Sequence, residues 1–372
     1  MSLLKTKIQV TANRIIGPYH LMCLMNPMSA IRGLMRARKD GSIRFEASNP
    51  RIVLLCDMPN HGNIGDQAIA LAEEKYLRDI GIDYVFEVDQ IGGIEELVYY
   101  RHVLPNDITL ILHGGGNMGS LYKGFEFLRA ADIQAFPHAN IICMPQTADY
   151  ANAEGRLLAN YMSSVYSSAH KVMMLARDEG SYFSMRELFP SIDVQLTPDI
   201  VMTYKTPFAV AAEHERSGAL IAFRNDSESA LHPNTQEIEE YLAEIGIGDV
   251  KLTDTSLRTD GELNVRAADR EQLVSSKLSE FSDARIVITD RLHGMVMSAI
   301  TNTPCIAFNN KNKKVQALYE TWLIDCPFIE FVDSDDSWRK SIDRVLNNNA
   351  MNYNFEKFKD SFHVVYDNLF SE

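Results

Sequence analysis

The amino-acid sequence predicts an α/β protein whose chain folds into two domains, each built on a parallel β-sheet. From residue 51 onward, short and continuously apolar segments alternate with amphipathic segments, the pattern of buried strands that helices cover on both faces. The alternation loosens over residues 204–218, where Pro, Gly and mixed charge indicate an interdomain connection. The length of 372 residues also exceeds what one hydrophobic core usually serves.

The apolar segments place the secondary-structure elements of each domain. Both domains are predicted to alternate strands with helices, as a parallel sheet requires. The predicted strands are 52–56, 84–88, 108–113, 140–144 and 171–175, followed in the second domain by 219–223, 249–252, 285–288 and 305–308. The predicted helices lie near 67–80, 124–136 and 153–168, followed by 234–245, 266–281 and 293–302.

These elements divide the chain into three segments. Residues 1–47 are predicted to form a basic amphipathic N-terminal segment, residues 48–205 an N-terminal α/β domain, and residues 206–372 a C-terminal α/β domain. The final stretch, rich in Asn, Phe and Lys, is predicted to be helical. We expect its last helix to cross back onto the first domain.

Composition excludes several classes of protein. With 46% hydrophobic and 23% charged residues, the chain has an ordinary globular composition and is neither disordered nor fibrous. The five cysteines are widely spaced and form no C-x-x-C pair, which is typical of reduced core residues. The N-terminus lacks the pattern of a secretory signal, and no apolar run reaches about 18 residues, so we expect a cytoplasmic protein without a membrane span.

Charge is distributed unevenly along the chain. Residues 1–44 hold eight Lys or Arg against Asp40 alone, a balance of +7, and the remaining residues carry −21. So acidic a body is a poor binder of nucleic acid, and none is expected as a partner. Two amphipathic helices in the basic segment could contact anionic lipid at the inner membrane face. Alternatively, they pack on the body of the protein or on a second subunit.

The loop after the first predicted strand, NHGNIGDQ, contains several candidate site residues. In open parallel sheets, ligands bind outside the carboxyl ends of the strands. Gly65 lets the backbone bend closely, and Asp66 suits the cap of the following helix, a role that alone would explain it. His61 and Asn63 make the loop more polar than a turn requires, which favours a functional site.

The segment after the third predicted strand, HGGGNMGS, contains Gly114, Gly115, Gly116 and Asn117. It matches the dinucleotide pattern G-x-G-x-x-G, but the next strand leads into Gln146 and not into the acidic residue that binds a ribose. It also matches the HGGG loop of esterases, but the sequence has no G-x-S-x-G elbow. The pattern therefore predicts a glycine loop that offers free backbone N–H groups to an anion or to sugar hydroxyls.

Two arginines follow buried strands at points where an anion could bind. Arg177 comes directly after the fifth strand, and its guanidinium could bind phosphate or carboxylate in a bidentate fork. The alternative is a salt bridge with Asp178 or Glu179. Arg291 and His293 begin a helix after a strand in the second domain, where free N–H groups attract anions. This turn predicts a phosphate pocket with a titratable group, although a lone histidine is often structural.

Taken together, the motifs resemble those of the polysaccharide pyruvyl transferase family. They occur in that family's order over about residues 50–310, and the basic N-terminal segment lies outside the resemblance. The matching motifs are N-x-G-D (63–66), G-G-G (114–116), P-Q-T (145–147), R-D-x-x-S (177–181), P-D (198–199) and R-L-H-G (291–294).

The resemblance implies two Rossmann-like domains that face each other across a cleft, similar to the GT-B glycosyltransferases, with the active site in the cleft. It implies that Arg177, Arg291 and His293 contact phosphoenolpyruvate, the donor substrate, and that the glycine loops face the acceptor sugar. Thr147 stands where relatives often have serine and keeps the hydroxyl. The full set of predicted substrate-binding residues is Arg177, Arg291, Leu292, Gly294, Asn63, Gly65, Gly114, Gly115, Gly116, Asn117, Gln146 and Ser181.

The chemistry expected from this resemblance needs an acid or base and no further cofactor. His293 is the candidate acid or base, and Asp66 could orient or deprotonate the attacking hydroxyl of the sugar. The histidines are scattered without ligand spacing, so metal-independent chemistry is expected.

Two other functions share parts of the pattern. One is a nucleotide-sugar glycosyltransferase of GT-B architecture, and the other is a non-catalytic scaffold in a polysaccharide-assembly complex.

Overall fold

The computed structural model describes residues 2–46, 49–209, 216–224, 233–257, 264–333, 337–348 and 353–370. The chain divides into two compact units, and both are discontinuous in sequence. The first unit contains residues 1–60, 73–200 and 362–372, and the second contains residues 61–72 and 201–361. By contrast, each domain predicted from the sequence is a single continuous segment. The predicted boundary at residue 47 and residues 210–215 of the predicted connection lie outside the described residues.

A parallel sheet of seven strands forms the centre of the first unit. Six strands run in the order β2-β1-β3-β5-β6-β7, and β4 pairs with β5 beyond that path. The strands are β1 (Ile52–Met58), β2 (Tyr84–Asp89), β3 (Thr109–Leu112), β4 (Gly115–Gly119), β5 (Asn140–Asp149), β6 (Lys171–Ala176) and β7 (Asp193–Leu196). The helices are α1 (Ser2–Ile16), α2 (Pro18–Met25), α3 (Pro27–Asp40), α4 (Ile64–Asp79, which begins in the second unit), α5 (Ile94–Val103), α6 (Gly124–Ala135), α7 (Ala153–Ser168) and α8 (Glu179–Leu188).

The second unit contains a smaller parallel sheet. Its five strands run in the order β12-β11-β10-β8-β9. They are β8 (Ser217–Ala222), β9 (Val250–Leu252), β10 (Ala284–Thr289), β11 (Cys305–Phe308) and β12 (Ile329–Val332). The helices are α9 (Thr235–Glu244), α10 (Ala267–Asp283), α11 (Leu292–Ile300), α12 (Lys314–Leu318), α13 (Trp338–Leu346) and α14 (Phe355–Asp360), with a π-helical turn at Tyr319–Leu323 and 3₁₀ turns at Ile200–Thr203 and Pro207–Ala209.

The predicted fold class is confirmed: the chain forms two Rossmann-like α/β units, each with a parallel sheet. Every residue of β1 is buried, as expected of an apolar strand with helices on both faces. The sequence patterns did not reveal β4, β7 and β12. These strands are short and mix polar with apolar residues or consist mainly of glycine, so they lack a continuous apolar run.

The chain order of each sheet reverses at one strand. In the first unit β1 lies between β2 and β3, and in the second unit β8 lies between β9 and β10. Ligands of open α/β sheets bind beyond the carboxyl ends of the strands at such a reversal. In the second unit, the residues that follow β10 at this position are Asp290 and Arg291.

The last helix, α15 (His363–Phe370), belongs to the first unit. The side-chain amide of Asn140 donates a hydrogen bond of 2.7 Å to Oδ1 of Asn368. The hydroxyl of Tyr76 donates to the carbonyl of Phe362 at 2.9 Å, next to the start of this helix. These contacts fix the C-terminal helix on the first unit.

The N-terminal helices α1, α2 and α3 pack on the first unit with one face. Val10 and Ala37 are buried, and Arg32 forms an ion pair with Glu95 at 2.6 Å. Hydrogen bonds from Thr6 and Lys123 hold the pKa of Glu154 at about 2. The opposite face stays exposed, so the basic segment both packs on the body and presents a surface. Among the helices of the described residues, none combines the length and the apolar character needed to cross a bilayer.

Candidate functional site

The loop that precedes α4 is held by backbone hydrogen bonds within the second unit. The N–H of Ile64 donates to the carbonyl of Thr255 at 2.7 Å, and the N–H of Leu257 donates to the carbonyl of Gly62 at 2.7 Å. Asn63 and Ser256 form an antiparallel bridge between the same two segments. The loop with the N-x-G-D motif is therefore fixed to the segment that follows β9.

Asn63 organises the start of α4. Its Oδ1 accepts a hydrogen bond from the N–H of Gly65 at 3.0 Å, so Asn63, and not Asp66 as predicted, caps the helix. Asp66 is not the cap because the helix begins at Ile64, so Asp66 already lies in its first turn. The side-chain amide of Asn63 donates to Oδ2 of Asp66 at 2.8 Å, and Nε2 of His61 lies 3.7 Å from the same oxygen. The Asp66 carboxylate is thus oriented, and its side chain keeps 30% exposure.

The turn between β10 and α11 carries the R-L-H-G motif. The N–H of Arg291 donates to Oγ1 of Thr289 at 3.0 Å, and its guanidinium Nη2 donates to Oδ2 of Asp254 at 2.7 Å. Leu292 is buried. A Cβ on Gly294 would lie 2.5 Å from Oγ1 of Thr289, so only glycine fits there. The arginine is therefore held in a fixed direction beside the start of α11.

Gly65 and His293 bring the two motifs into contact. A Cβ built on Gly65 would lie 2.3 Å from Nδ1 of His293, so the α4 backbone approaches the face of the imidazole with no room for a side chain. The two residues are 228 positions apart in sequence but belong to the same unit. Asp66, directly after Gly65, is one residue from this contact. The structure therefore brings the predicted catalytic residues into one neighbourhood.

This neighbourhood combines groups that suit an anionic substrate. The start of α11 provides backbone N–H groups and the positive end of a helix dipole, and Arg291 adds a guanidinium that Asp254 orients. His293 is half-buried, and an imidazole is a frequent general acid or base in enzymes. Asp66 supplies a partly exposed carboxylate that can accept a proton from a hydroxyl group. Such a set can bind a phosphate and carry out acid–base chemistry.

In the first unit, Arg177 belongs to a buried polar network. Its Nη1 lies 2.8 Å from Oδ2 of Asp199, and its Nε donates to Oγ1 of Thr147 at 2.8 Å. The sequence leaves open a salt bridge between Arg177 and Asp178 or Glu179. The ion pair shown by the structure is instead with Asp199. Asp178 instead caps α8, where its Oδ1 accepts from the N–H of Ser181 at 2.8 Å and its Oδ2 from the Ser181 hydroxyl at 2.9 Å.

Five of the matched motif positions, with Asp199 of the P-D motif among them, thus stabilise the end of the first sheet. Thr147 joins the Arg177 pair to Asp178 through a hydrogen bond of 3.0 Å, and the hydroxyl of Ser181 accepts from the N–H of Ala148. Arg177 is 2% exposed. Its contact with the donor substrate stays a prediction.

We expect the Arg177→Gln variant to be destabilised by about 3 kcal/mol, because breaking a buried ion pair leaves the carboxylate of Asp199 buried without its counter-charge. Chemical denaturation monitored by circular dichroism measures the free energy of unfolding. Arg186→Gln is the matched control, since Arg186 is exposed in the same unit. An Arg177→Gln variant as stable as the control would contradict the structural role, and adding Asp199→Asn should recover part of the loss.

The glycine-rich segment of the first unit differs from the predicted loop. Gly115–Gly119 form strand β4, which pairs with β5. The N–H of Gly114 donates to Oε1 of Glu73 at 2.9 Å, and the N–H of Gly119 donates to Oε1 of Glu126 at 2.6 Å. The N–H of Asn117 lies 3.4 Å from Oε1 of Gln146. For these three N–H groups the prediction of free donors is wrong, because buried carboxylates and an amide already take them.

A second buried network surrounds Gln146. Its side-chain amide donates to the carbonyl of His113 at 2.6 Å, and Nδ1 of His113 lies 2.8 Å from Oε2 of Glu73. Glu73 is fully buried within α4. Gln146 and Gly114 therefore lie together at the carboxyl ends of β3 and β5. Their predicted contact with an acceptor sugar, like that of Gly116, stays a prediction.

The sequence analysis did not single out Asp254, which holds Arg291. A signal was present, because Thr253 and Asp254 directly follow the predicted strand 249–252, at the kind of position that identified the other site residues. Asp254 Oδ1 also accepts from the N–H of Ser256 at 3.0 Å. One carboxylate therefore orients the arginine and shapes the segment that fixes the Asn63 loop.

Comparison with known proteins shows the family of this chain. The family model described as polysaccharide pyruvyl transferase matches residues 63–312. The chain belongs to this family. In this member of the polysaccharide pyruvyl transferase family, the matched range includes both Asp66 and His293. It also includes most strands of each sheet.

Individual relatives support the same assignment. General stress protein 30 of Bacillus subtilis (strain 168) is 32% identical over 307 residues, which cover 80% of this chain and 86% of that protein. Pyruvyl transferase 1 of Schizosaccharomyces pombe is 29% identical over 324 residues, covering 81% and 77%. A solved structure of an uncharacterized protein from Klebsiella pneumoniae subsp. pneumoniae NTUH-K2044 has a TM-score of 0.54 at 18% identity, covering 77% of this chain and 93% of that chain. The last likeness shows the fold alone.

Proposed function

We propose that this protein transfers the pyruvyl group of phosphoenolpyruvate to a saccharide, forms a cyclic ketal and releases phosphate. Family membership supports a pyruvyl transferase that acts on a polysaccharide or its precursor. The single observation that carries the donor assignment is the contact between Gly65 and His293 beside Arg291. It combines an anion site with an acid–base pair in one unit.

The donor's charges suit this site. Phosphoenolpyruvate carries a phosphate and a carboxylate, so it requires several positive or N–H groups at once. Arg291 and the first turn of α11, with Leu292 and Gly294, would bind one of these anionic groups. Arg177 stays a predicted ligand of the donor. Phosphoenolpyruvate is the donor substrate, and the proposal includes no cofactor.

The proposed reaction begins with protonation of the donor's methylene carbon, which makes the adjacent carbon electrophilic. A sugar hydroxyl adds to that carbon and loses its proton, and the C–O bond to phosphate breaks. A second hydroxyl then closes the ketal, and its proton leaves with the phosphate as hydrogen phosphate. One methyl group, one ketal and one phosphate result. His293 delivers the first proton, and Asp66, oriented by Asn63, accepts a proton from the attacking hydroxyl.

The acceptor is proposed to be a saccharide of exopolysaccharide biosynthesis, linked to a lipid carrier. The basic segment 1–44 supports contact with an anionic membrane surface, because its balance is +7 and the outer faces of α1, α2 and α3 are exposed. Basic side chains near such a surface contribute about 1 kcal/mol each.

A thermal-shift measurement tests the donor assignment. Phosphoenolpyruvate at 100 times its Kd is expected to stabilise the wild type by about 2.7 kcal/mol, whereas UDP and GDP sugars leave Tm unchanged. The Arg291→Gln variant should lose the shift, and Arg285→Gln, which alters an exposed arginine of β10, should keep it. Stabilisation by nucleotide sugars with none from phosphoenolpyruvate would instead indicate a glycosyltransferase.

A further inference from the structure

A cavity of about 750 Å³ lies in the first unit beneath the N-terminal helices. Residues of α1 and α2 line one side, and the ends of β1 and β2 with the starts of α5 and α6 line the other. Leu21, Met22, Leu97, Phe125 and Phe127 supply much of the lining. The volume lies within the range of small-molecule sites, and the cavity is at the carboxyl ends of parallel strands, where ligands of such sheets bind.

The rim of this cavity is apolar and exposed. Met25, Ile91, Leu121 and Tyr122 line the cavity and are also among the large apolar side chains that face solvent, with exposed fractions of 68%, 57%, 44% and 42%. Exposing four neighbouring apolar side chains to water is unfavourable. A rim of this kind indicates that an apolar group passes through it.

The rim continues into a larger apolar surface on the N-terminal helices. Of the sixteen large apolar side chains that are exposed among the described residues, nine lie in α1, α2 and α3. These nine are Leu4, Ile8, Ile15, Ile16, Leu24, Met25, Met28, Ile31 and Met35. Met25 belongs to both the surface and the cavity rim. Together with the +7 balance of residues 1–44, this surface matches an anionic bilayer in polarity and in charge.

The charged groups of the cavity disfavour an anionic occupant. Asp57, Asp89 and Asp132 line it, and Lys123, its only lysine among the described lining residues, donates to Glu154 at 2.9 Å. Burial raises the pKa of Asp132 well above its usual range, which favours the uncharged form of this carboxyl. A phosphate or nucleotide would therefore meet three carboxyl groups and a lysine that is already paired with Glu154. An uncharged hydrocarbon would meet mainly apolar side chains.

We propose that this cavity binds the hydrocarbon chain of a membrane lipid that carries the saccharide acceptor. The bilayer contacts the apolar faces of α1, α2 and α3, and the chain enters past Met25 and Ile91. The statement that the lipid carries the acceptor rests on the proposed function. The statement that the cavity binds a hydrocarbon chain is independent of the proposed function.

Binding of ¹⁴C-labelled dodecyl maltoside below its critical micelle concentration tests the proposal, with the full chain in equilibrium dialysis. This probe joins a saccharide to one aliphatic chain. We expect one saturable site per chain, no displacement by maltose, and at least a tenfold rise in Kd for the double variant Met25→Glu, Ile91→Glu. Met35→Glu is the matched control, since Met35 is exposed on α3 to 64% but does not line the cavity, and it should bind as the wild type does.

Two results would overturn the proposal: equal Kd in the double variant and the wild type, or displacement by maltose, which would indicate a site for the sugar alone. Both altered side chains are exposed, so the variants should keep the wild-type Tm. The assay contains no phosphoenolpyruvate. Chain binding without pyruvyl transfer would therefore refute only the proposed function, and pyruvyl transfer without chain binding would refute only this inference.

Discussion

The His293→Gln variant is expected to release phosphate from phosphoenolpyruvate at least a thousandfold more slowly than the wild type, with an unchanged Tm. Glutamine keeps the volume and a hydrogen-bonding group but cannot deliver a proton to the donor's methylene carbon. A positioned acid or base contributes between about a hundredfold and ten-thousandfold, and a thousandfold loss corresponds to about 4 kcal/mol of transition-state stabilisation. Stopped-time phosphate assays at saturating acceptor measure kcat.

His170→Gln is the control for this experiment, because His170 is exposed and belongs to the first unit, whereas His293 belongs to the second. It should keep wild-type kcat. If His293→Gln retained more than a tenth of wild-type kcat, His293 would not be the acid of the reaction. A parallel loss in Tm would indicate that the histidine is structural, which is the simpler role considered from the sequence.

The second large effect is expected from Gly65→Ala. The added methyl group would lie 2.3 Å from Nδ1 of His293, so either the imidazole or the first turn of α4 must move. A displacement of about 1 Å at a reacting group can cost a hundredfold in rate, and we expect kcat to fall at least that far. Overpacking should also lower the free energy of unfolding by about 1 to 3 kcal/mol.

A double-mutant cycle shows whether the clash with the histidine causes both effects. In a His293→Ala background the ring is absent and only the Cβ at position 293 remains, 3.0 Å from the added methyl group, so Gly65→Ala should cost much less stability. Gly248→Ala is the matched control, because a Cβ at Gly248 of the same unit meets no atom within 4 Å. Equal destabilisation by Gly65→Ala in both backgrounds would show that the contact with His293 does not constrain this position.

Much of the fold could be predicted because parallel strands with helices on both faces leave a clear pattern in sequence. The segments 153–168 and 305–308 were predicted with the bounds that the structure shows. The discontinuity of the units could not be predicted in this way. Residues 61–72 join the second unit through backbone hydrogen bonds to residues 255 and 257, and backbone pairing at such a separation leaves no periodic signal.

The site was predictable only where residues follow strands. Arg291, His293 and Asp66 were found by that rule. The partner of Arg177 was not found, because Asp199 is 22 positions away and a sequence shows only near neighbours. The glycine segment was interpreted as an open loop, since sequence does not show that the buried Glu73 and Glu126 take its N–H groups. Polar networks of this kind depend on three-dimensional packing.

The most direct test of the central claim follows the carbon and the phosphate of the donor together. The wild type is incubated with [1-¹⁴C]phosphoenolpyruvate and a lipid-linked saccharide that carries two neighbouring free hydroxyls. We predict that label enters the saccharide as an acid-labile ketal in equimolar amount to the phosphate released, and that His293→Gln shows neither. Phosphate release without label in the saccharide, or neither product from the wild type, would contradict the account.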